Sequence, residues 1–402
     1  MRVGLLLSHL RGFNAVDGGL ANHFAELAAG LAAAGAAVRV YVVAESVPAS
    51  VLRTAEGYEI ISLAAPMPRW LHRLTGWHWQ LNTFAGIWYR SRAAANLVLR
   101  DHAVRALDVI ETSSSGHLAM HLARSSRRPP LVARVSTTAE QLVTHNRSAT
   151  TWLARRENRA ERALVERSDS ILSCGRSHRD VFCGAWGLDP ARVKIIAHGI
   201  ALPPVAALAD ASEPTNQLRV LYVGRFEHRK GIDTLLAALP AVLAAHPQAV
   251  ATLAGLDRDD YWQAKFWREN PGIDRHRAVF TGPVDALRLN ELYQQADIFV
   301  APSRYESFGL IYVEAMAWAK PVIACNAGGI PEVVAEGETG LLIPPGDTPA
   351  LVQQLSLLLA DPVLRQRLGR AGRARAERLF SRSAMAAACL AHYATLSVRP
   401  AR

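Results

Sequence analysis

Short apolar runs alternate with longer stretches whose apolar residues recur at helical spacing throughout the first half of the chain. Between the first two runs, Leu20, Phe24, Leu27, Ala28 and Leu31 fall on one face of a helix. This alternation predicts strands separated by helices, and therefore a doubly wound domain with a parallel sheet. The predicted strands read RVGLLLS, AVRVYVVA, YEIISLA, LDVIETS, PLVARVS, SDSILSCG and VKIIAHG.

A stretch without periodicity then interrupts the pattern. Residues 201–217, ALPPVAALADASEPTNQ, contain three prolines and are the best linker candidate. Beyond them the alternation restarts, and 402 residues are typical of two domains. We therefore expect α/β domains at 1–205 and 206–380, and a helical tail at 381–402 that packs back on the first domain. The strands predicted in the second half read LRVLYVG, AVATLAG, RAVFTG, DIFVAPS, PVIACN and TGLLIPP.

One uncharged segment is long enough to span a bilayer. Thr234 to Leu256 contains no Asp, Glu, Lys or Arg. Pro240 and the turn-like sequence at 246–248 divide it, which predicts a helix from about 231 to 245 followed by a buried strand. We expect no transmembrane helix. The opening MRVGLLLSHL also lacks the pattern of a signal peptide.

Charge and cysteine usage narrow the partners and the compartment. The formal net charge of +10 favours anionic partners such as nucleotide phosphates or an acidic membrane face. Zinc-finger spacing, an aromatic RNA-binding signature and a basic tail are missing from the sequence, so nucleic acid is not expected. The four cysteines form no C-x-x-C pair, which favours a reducing cytoplasm. The arginine-rich stretch after about Pro349 is expected to be a solvated charged face.

Two acids in the segment 297–331 are the strongest sign of a ligand site. Glu314 stands alone in the apolar run LIYVEAMAWA, and Glu306 precedes that run in a polar turn. The expected unit is a strand, a polar loop and a helix whose first amide groups can bind an anion. We expect the carboxylate of Glu314 to be unpaired within the protein and to accept hydrogen bonds from ligand hydroxyls. A solvated helix position for Glu314 and a plain turn at Glu306 remain the alternative.

Other candidates follow predicted strands, at the sheet edge where α/β proteins bind ligands. Arg225 follows the strand LRVLYVG, and Lys230 stands just before Gly231, where a helix is predicted to begin; two cations at a helix start can clamp a diphosphate. Gly18 and Gly19, in the first strand-to-helix loop, would allow amide groups to approach a phosphate. The run at 328–331, GGIP, would shape a cleft wall. An ordinary surface loop or a tight turn would explain each of these features equally well.

Aromatic residues crowd one segment of the first half. Aromatic faces suit sugar rings or a lipid interface, and basic neighbours suit anionic headgroups. Trp77 and Trp79 are therefore acceptor-side candidates, although packing between helices is the simpler alternative. The aromatic residues of this segment, 66–90, are Trp70, Trp77, Trp79, Phe84, Trp88 and Tyr89.

Three motifs resemble a known family. GGLANHFAELAAGLAAAGAAVRV resembles the first helix of the retaining, nucleotide-sugar-dependent glycosyltransferases of family 4. VGRFEHRKGID and FVAPSRYESFGLIYVEAMAWAKPVIACNAGGIPEVVAEGETGLLIPPGD resemble the second domain of that family. The resemblance covers nearly the whole chain and implies the GT-B fold, in which two Rossmann-like domains face a central cleft.

The resemblance also implies roles for individual residues. Glu306 would contact the transferred sugar and hold positive charge at its anomeric carbon, and Glu314 would bind the ribose hydroxyls. Arg225 and Lys230 would neutralise the leaving diphosphate, so that neither a metal nor a cofactor is needed. The further donor-binding residues it implies are Ser307, Phe308, Gly309, Leu310, Gly18 and Gly19.

The chain departs from the family pattern in two places. Relatives often have a second glycine after the strand that corresponds to AVATLAG, whereas the loop here, 255–260, reads GLDRDD. Many relatives carry a histidine after the strand that corresponds to PLVARVS, whereas Ser136 stands here. His117 is a candidate to take over, although a histidine at the start of a helix is more often structural. The role of that family histidine is therefore left open between Ser136 and His117.

The expected function is transfer of a sugar from a nucleotide diphosphate to an acceptor hydroxyl with retained configuration. The expected setting is cell-surface polysaccharide or glycolipid assembly, in the cytoplasm or peripherally on the inner face of the membrane. Secondary-metabolite glycosylation and a nucleotide-sugar epimerase or hydrolase are the alternatives. The sequence does not define the sugar, the base or the acceptor.

Overall fold

The computed structural model describes residues 1–14, 19–75, 79–145, 151–209 and 216–397. The chain divides into two compact units. The first contains Met1–Gly199 together with the helix that begins at Arg382, and the second is Ile200–Ser381. The division of the chain therefore falls a few residues before the proline-rich stretch at 201–217.

The first unit is built on a sheet of eight strands within the described residues. Their order is β3-β4-β2-β1-β5-β6-β7-β8, so the strand order reverses at β1, as in doubly wound folds. The strands are β1 (Arg2–Leu7), β2 (Ala37–Ala44), β3 (Ser50–Arg53), β4 (Glu59–Ala64), β5 (Val109–Ser113), β6 (Leu131–Arg134), β7 (Ser170–Ser173) and β8 (Val193–Ile195).

The edge strand β3 is the one departure from the predicted strands of this sheet. It pairs antiparallel with β4, whereas the other neighbours are parallel. Three of its four residues are exposed, so it has no buried apolar face that a sequence pattern could show.

Helices pack against both faces of the first sheet. Phe24, Leu27 and Leu31 of the first helix are fully buried, as their spacing predicts. Leu20 is an exception at 37% exposed, although the same spacing places it on the buried face. The helices before the division are α1 (Gly19–Ala33), α2 (Arg69–Thr75), α3 (Trp79–Val104), α4 (Ala139–His145), α5 (Trp152–Arg167) and α6 (Arg176–Trp186).

The second unit has a six-stranded parallel sheet within the described residues, in the order β11-β10-β9-β12-β13-β14. Every strand predicted for it is present, and the predicted fold class is confirmed. The strands are β9 (Leu218–Val223), β10 (Ala249–Ala254), β11 (Ala278–Gly282), β12 (Ile298–Ala301), β13 (Val322–Cys325) and β14 (Gly340–Ile343).

The helices of the second unit include the segment that could have been taken for a membrane span. It forms a helix that contains Pro240, followed by β10, as predicted. Among the described residues no helix combines the length and apolar character that a membrane crossing requires. The helices are α7 (Val205–Ala209), α8 (Ile232–Ala245), α9 (Tyr261–Glu269), α10 (Ala286–Gln295), α11 (Leu310–Ala317), α12 (Ile330–Val333), α13 (Thr348–Ala360) and α14 (Pro362–Leu379).

The prediction of a solvated arginine face after Pro349 is wrong for several of its members. Arg365, Arg373 and Arg375 donate to main-chain carbonyl oxygens in the last turns of α13, α11 and α12, respectively. The carbonyls at a helix end have no partner within the helix, so a guanidinium satisfies them well. These arginines therefore join the helices of the second unit.

The last helix, α15 (Arg382–Ser397), packs on α1 in the first unit. The Tyr393 hydroxyl donates to Glu111 at 2.5 Å, and Glu111 also pairs with Arg134 at 2.7 Å. Cys389 accepts a further hydrogen bond from Arg134 at 3.4 Å. A buried charge pair is tolerated only when its remaining polar atoms are satisfied. Because α15 supplies two of those partners, the sheet of the first unit depends on it.

Candidate functional site

Two loops meet at the carboxyl edge of the second sheet, after the neighbouring parallel strands β9 and β12. Gly231, at φ +67°, ends the first loop, and a Cβ there would lie 1.9 Å from the carbonyl oxygen of Pro302. The amide of Arg304 donates to the carbonyl of Arg229 at 2.8 Å. A glycine is therefore required for the two loops to approach this closely.

Two cations from the first loop, Lys230 and Arg229, surround the buried carboxylate of Glu306. Nζ of Lys230 lies 2.5 Å from Oε1, and Nη1 of Arg229 lies 3.3 Å from Oε2. The Ser303 hydroxyl donates to Oε1 at 3.2 Å. Burial favours the neutral carboxyl, but Lys230 and Arg229 outweigh it and lower the pKa of Glu306. Glu306 is therefore ionised at neutral pH. Arg229 also lies 3.9 Å from Glu227, which pairs with Arg225, and these five charges together leave one positive charge in excess.

The structure brings together only some of the cations chosen from sequence. Lys230 contacts Glu306, whereas Arg225 extends to the surface and pairs with Glu227 at 2.7 Å. Arg229, which sequence reasoning did not single out, occupies the buried position instead. The sequence feature that could have identified Arg229 is its position in the basic run HRK, just before Gly231.

The start of α11 lies directly after the Glu306 loop. Its N-cap is Gly309 at φ +96°, and the ring of Phe308 is buried edge-on against Phe380 with 5.6 Å between centroids. A Cβ on Gly309 would lie 2.5 Å from the ring of Tyr312. The amides of Leu310 and Ile311 at the start of the helix have no acceptor within it, as an anion site requires, whereas the amide of Tyr312 already donates to the Gly309 carbonyl at 3.1 Å. The predicted order of strand, polar loop and helix is present.

The GGIP run packs against the back of this loop. The amide of Gly329 donates to the Glu306 carbonyl at 2.8 Å. A Cβ on Gly328 or Gly329 would lie 2.5 Å from the Glu306 carbonyl oxygen or 2.3 Å from the Ser307 carbonyl oxygen, respectively. The two glycines therefore fix the main chain that carries Glu306 and Ser307.

Glu314 is half-buried on α11, and the prediction that its carboxylate is unpaired within the protein is wrong. Its Oε2 accepts a hydrogen bond of 2.8 Å from the hydroxyl of Tyr293 on α10. Burial first, and then the carboxylate, raises the pKa of Tyr293 well above its ordinary value, so the tyrosine remains a donor. The sequence could not reveal this partner, because Tyr293 comes from a separate helix.

In the first unit, two of the predicted residues can be placed in detail. The Ser136 hydroxyl, at the end of β6, lies 3.3 Å from the hydroxyl of Ser113 at the end of β5. His117 is 2% exposed, and its burial lowers its pKa to about 4. Its imidazole is therefore neutral at physiological pH and enclosed by the protein.

The remaining predicted residues fall at or beyond the limits of the described chain. Gly18 and Trp77 lie outside the described residues. Gly19 opens α1. Trp79 opens α3, but its side chain belongs to the part that is not described.

A cavity of about 190 Å³ opens at the carboxyl ends of β1 and β5. Sequence reasoning did not identify it, because its walls come from segments far apart in the chain. It explains the exposure of Leu20, which lines the cavity instead of the core. The lining residues are Leu6, Leu7, Ser8, His9, Leu20, Ala21, Phe24, Thr112, Ser113, Ser115 and Leu118.

Both halves of the chain match glycosyltransferase families. Residues 17–202 match the family described as Glycosyltransferase Family 4, and residues 207–375 match Glycosyl transferases group 1. Together with the two parallel-sheet units, these matches define the class. The chain belongs to the family 4 type of glycosyltransferases with the GT-B fold.

Similar proteins agree with this assignment. The glycogen synthase of Mycobacterium tuberculosis is 36% identical over 225 residues, which is 56% of this chain and 53% of that protein. The match therefore spans about half the length of this relative. The structure of sucrose-phosphate synthase from Thermosynechococcus elongatus is 27% identical, with a TM-score of 0.73 over 98% of this chain and 99% of its own.

A third similar structure carries a ligand. HepE of Anabaena, solved in complex with UDP-glucose, is 18% identical, with a TM-score of 0.69 over 98% of this chain and 99% of its own. At this identity the similarity concerns the fold alone.

Proposed function

We propose that the protein transfers a sugar from a nucleoside diphosphate to an acceptor hydroxyl. The observation that carries this proposal is the buried cluster of Glu306, Lys230 and Arg229 beside the start of α11. Its excess positive charge and the helix amides suit a diphosphate, while the carboxylate suits a sugar that develops positive charge. HepE, which shares this fold, was solved in complex with UDP-glucose, and we extend the same class of donor to this chain.

Each group of the site has a separate part in the proposed reaction. Lys230, Arg229 and the first amides of α11 stabilise the diphosphate as its bond to the sugar breaks. Glu306 faces the anomeric carbon and stabilises the oxocarbenium-like transition state. Glu314, held by Tyr293 at 2.8 Å, accepts hydrogen bonds from the ribose and so positions the donor far from the reacting bond.

The proposed reaction retains the anomeric configuration and needs neither metal nor cofactor. Retention follows from attack of the acceptor on the face that the diphosphate leaves, with the phosphate taking the acceptor proton. The cations of the cluster supply the charge that a metal would otherwise provide. The test combines NMR of the product anomer with turnover in excess EDTA, and an inverted product or EDTA-sensitive turnover would contradict these points.

The experiment that tests the function begins with the donor. A thermal-shift panel of UDP, GDP, ADP and TDP sugars identifies the base, because a ligand that binds the native state raises its melting temperature. Turnover of that donor is then measured with and without an acceptor mixture. Acceptor-dependent turnover is expected. Rapid turnover of the donor alone would instead indicate an epimerase or hydrolase, and the lack of any shift would refute the proposal.

We place the reaction in cell-surface polysaccharide or glycolipid assembly, at the inner face of the cytoplasmic membrane. Trp70 on α2 is 61% exposed between Arg69 and Arg73, and Trp88 on α3 is 39% exposed. Exposed aromatic residues with basic neighbours suit an anionic lipid surface. Vesicles rich in phosphatidylglycerol should bind the wild-type protein better than the variant Trp70→Ser. Equal binding would leave secondary-metabolite glycosylation as the better setting.

A further inference from the structure

A second arginine ties together the two loops that carry the cluster of Glu306, Lys230 and Arg229. Arg304 lies two residues before Glu306, on the loop that follows β12. We infer that Arg304, paired with Asp233, is a positioning residue that holds Lys230 and Glu306 at the geometry the diphosphate of the donor requires. This inference rests on the proposed function, because it concerns the same site.

The side chain of Arg304 donates four hydrogen bonds to the other loop and to the helix that follows it. Its Nη1 donates to the His228 carbonyl at 2.8 Å and to Oδ1 of Asp233 at 2.6 Å. Its Nη2 donates to Oδ2 of Asp233 at 2.8 Å and to the Thr234 hydroxyl at 3.1 Å. Bidentate pairing of a guanidinium with a carboxylate fixes direction as well as distance. The span 228–234 is therefore held near both of its ends.

Lys230 lies in the middle of that span, directly before the Gly231 that caps α8. Its Nζ lies 2.5 Å from Oε1 of Glu306, on the loop that carries Arg304. Ser303, the neighbour of Arg304 in sequence, donates to the same Oε1 at 3.2 Å. A shift of the span relative to this loop would therefore separate the ammonium from the carboxylate. A displacement of about 1 Å in an active site can cost about 10²-fold in rate.

The hydrogen bonds of Arg304 distinguish positioning from direct binding of the diphosphate. All four of its Nη hydrogens are donated within the protein, and its charge is paired with that of Asp233. The guanidinium therefore has no terminal N–H left for a phosphate oxygen. Lys230 and Arg229 remain the cations for the diphosphate, and Arg304 acts through them.

Electrostatics and positioning make opposite predictions for Asp233→Asn. Removing a carboxylate makes the surroundings of the site more positive, so by electrostatics alone UDP should bind more tightly. The positioning role predicts weaker binding, because an asparagine amide cannot accept both arms of the guanidinium. We expect UDP affinity to fall by about tenfold, as for the loss of charged hydrogen bonds, and uridine affinity to stay unchanged because uridine has no diphosphate.

Arg304→Lys and the double variant complete the experiment. Lysine keeps the charge but not the planar fork, so UDP affinity should again fall by about tenfold. Because the two residues act through one contact, the double variant should lose about as much UDP affinity as either single variant. Arg162→Lys and Glu166→Gln are the matched controls and should bind UDP as the wild type does. They alter a 2.8 Å ion pair on α5, in the first unit.

Calorimetric titration of UDP and of uridine measures each affinity together with the number of sites per folded chain. A merely structural role of the pair would lower the melting temperature or the number of competent sites and leave the UDP affinity of those sites at the wild-type value. That result would overturn the inference. Tighter UDP binding by Asp233→Asn, or losses in the two single variants that add in the double variant, would overturn it as well.

The two proposals fail separately in this experiment. If the wild type prefers UDP to uridine and the variants keep the full preference, the positioning role is overturned and the proposed function stands. If the wild type itself shows no preference for UDP over uridine, the proposed function is overturned together with this inference.

Discussion

Glu306 lies between two cations, so its removal should affect binding and chemistry in opposite directions. In Glu306→Gln, Lys230 and Arg229 lose their counter-charge and attract a diphosphate more strongly. The transition state, however, loses its anionic partner, and we expect kcat to fall by about 10²- to 10³-fold. Steady-state kinetics and a UDP titration measure the two effects, with Glu269→Gln on the exposed end of α9 as the control. A parallel loss of UDP affinity and kcat would contradict these roles.

Tyr293 fixes the carboxylate that we assign to the ribose. Tyr293→Phe removes the 2.8 Å hydrogen bond to Glu314 and keeps the ring. A hydrogen bond to a charged group contributes about 1.5–3 kcal/mol, so UDP affinity should fall by about tenfold or more. Calorimetry with UDP checks this, and Tyr261→Phe, at a tyrosine that is 57% exposed, is the control. Equal UDP affinities in Tyr293→Phe and the wild type would show that Glu314 needs no orientation.

At the scale of elements, the contact between two loops is the feature that a single methyl group should disrupt. Gly231→Ala places a Cβ 1.9 Å from the Pro302 carbonyl oxygen, at φ +67°. Gly57→Ala is the matched control, because Gly57 also has a positive φ, +90°, but nothing lies within 4 Å of its Cβ. Left-handed backbone alone costs an alanine about 1–2 kcal/mol.

We expect Gly231→Ala to lower the free energy of unfolding by about 1–3 kcal/mol more than Gly57→Ala does, because overpacking is added to the backbone strain. UDP affinity should fall in Gly231→Ala only, since the loops carry Lys230 and Glu306. Urea unfolding and calorimetry provide the two measurements. Equal effects of the two substitutions would mean that the loops can separate without consequence.

The elements also show what could be predicted from the sequence. Strands and helices with strong apolar periodicity, such as β9 and α8, were predicted because their burial follows from their own residues. The exposed strand β3 was missed, because only backbone pairing with β4 defines it. In the site, Lys230 and Glu306 were identified, but Arg229 and the Tyr293 partner of Glu314 were not. Contacts between distant segments leave no local pattern.

At the scale of the whole molecule, buried histidines should make folding sensitive to acid. Burial lowers the pKa of His117 and His178 to about 4, and it lowers that of His23 and His198 well below 6.5. As the pH falls, the unfolded chain therefore takes up protons before the folded protein does. The stability that the neutral histidines contribute is present above pH 6.5 and is lost as the pH falls toward 4. Glu161, whose pKa is raised by burial to about 7, opposes the trend.

The expected loss is on the order of 2 kcal/mol per histidine between pH 7 and pH 5, offset in part by Glu161. Urea unfolding at the two pH values measures it. His178→Gln should reduce the pH dependence, because one of the buried imidazoles is removed. A free energy of unfolding that does not change between pH 7 and pH 5 would refute the assignment of neutral buried histidines.

The central claim is that the charge cluster of the second unit binds the diphosphate of a nucleotide sugar. Calorimetric titration of UDP and uridine into the wild type, Lys230→Met and the surface control Lys194→Met tests it most directly. The account predicts that UDP binds far more tightly than uridine to the wild type and to the control. In Lys230→Met the ratio of UDP affinity to uridine affinity should be smaller by about 30-fold or more, as expected for the loss of a buried charge partner. Identical UDP binding by Lys230→Met and the wild type would contradict the account.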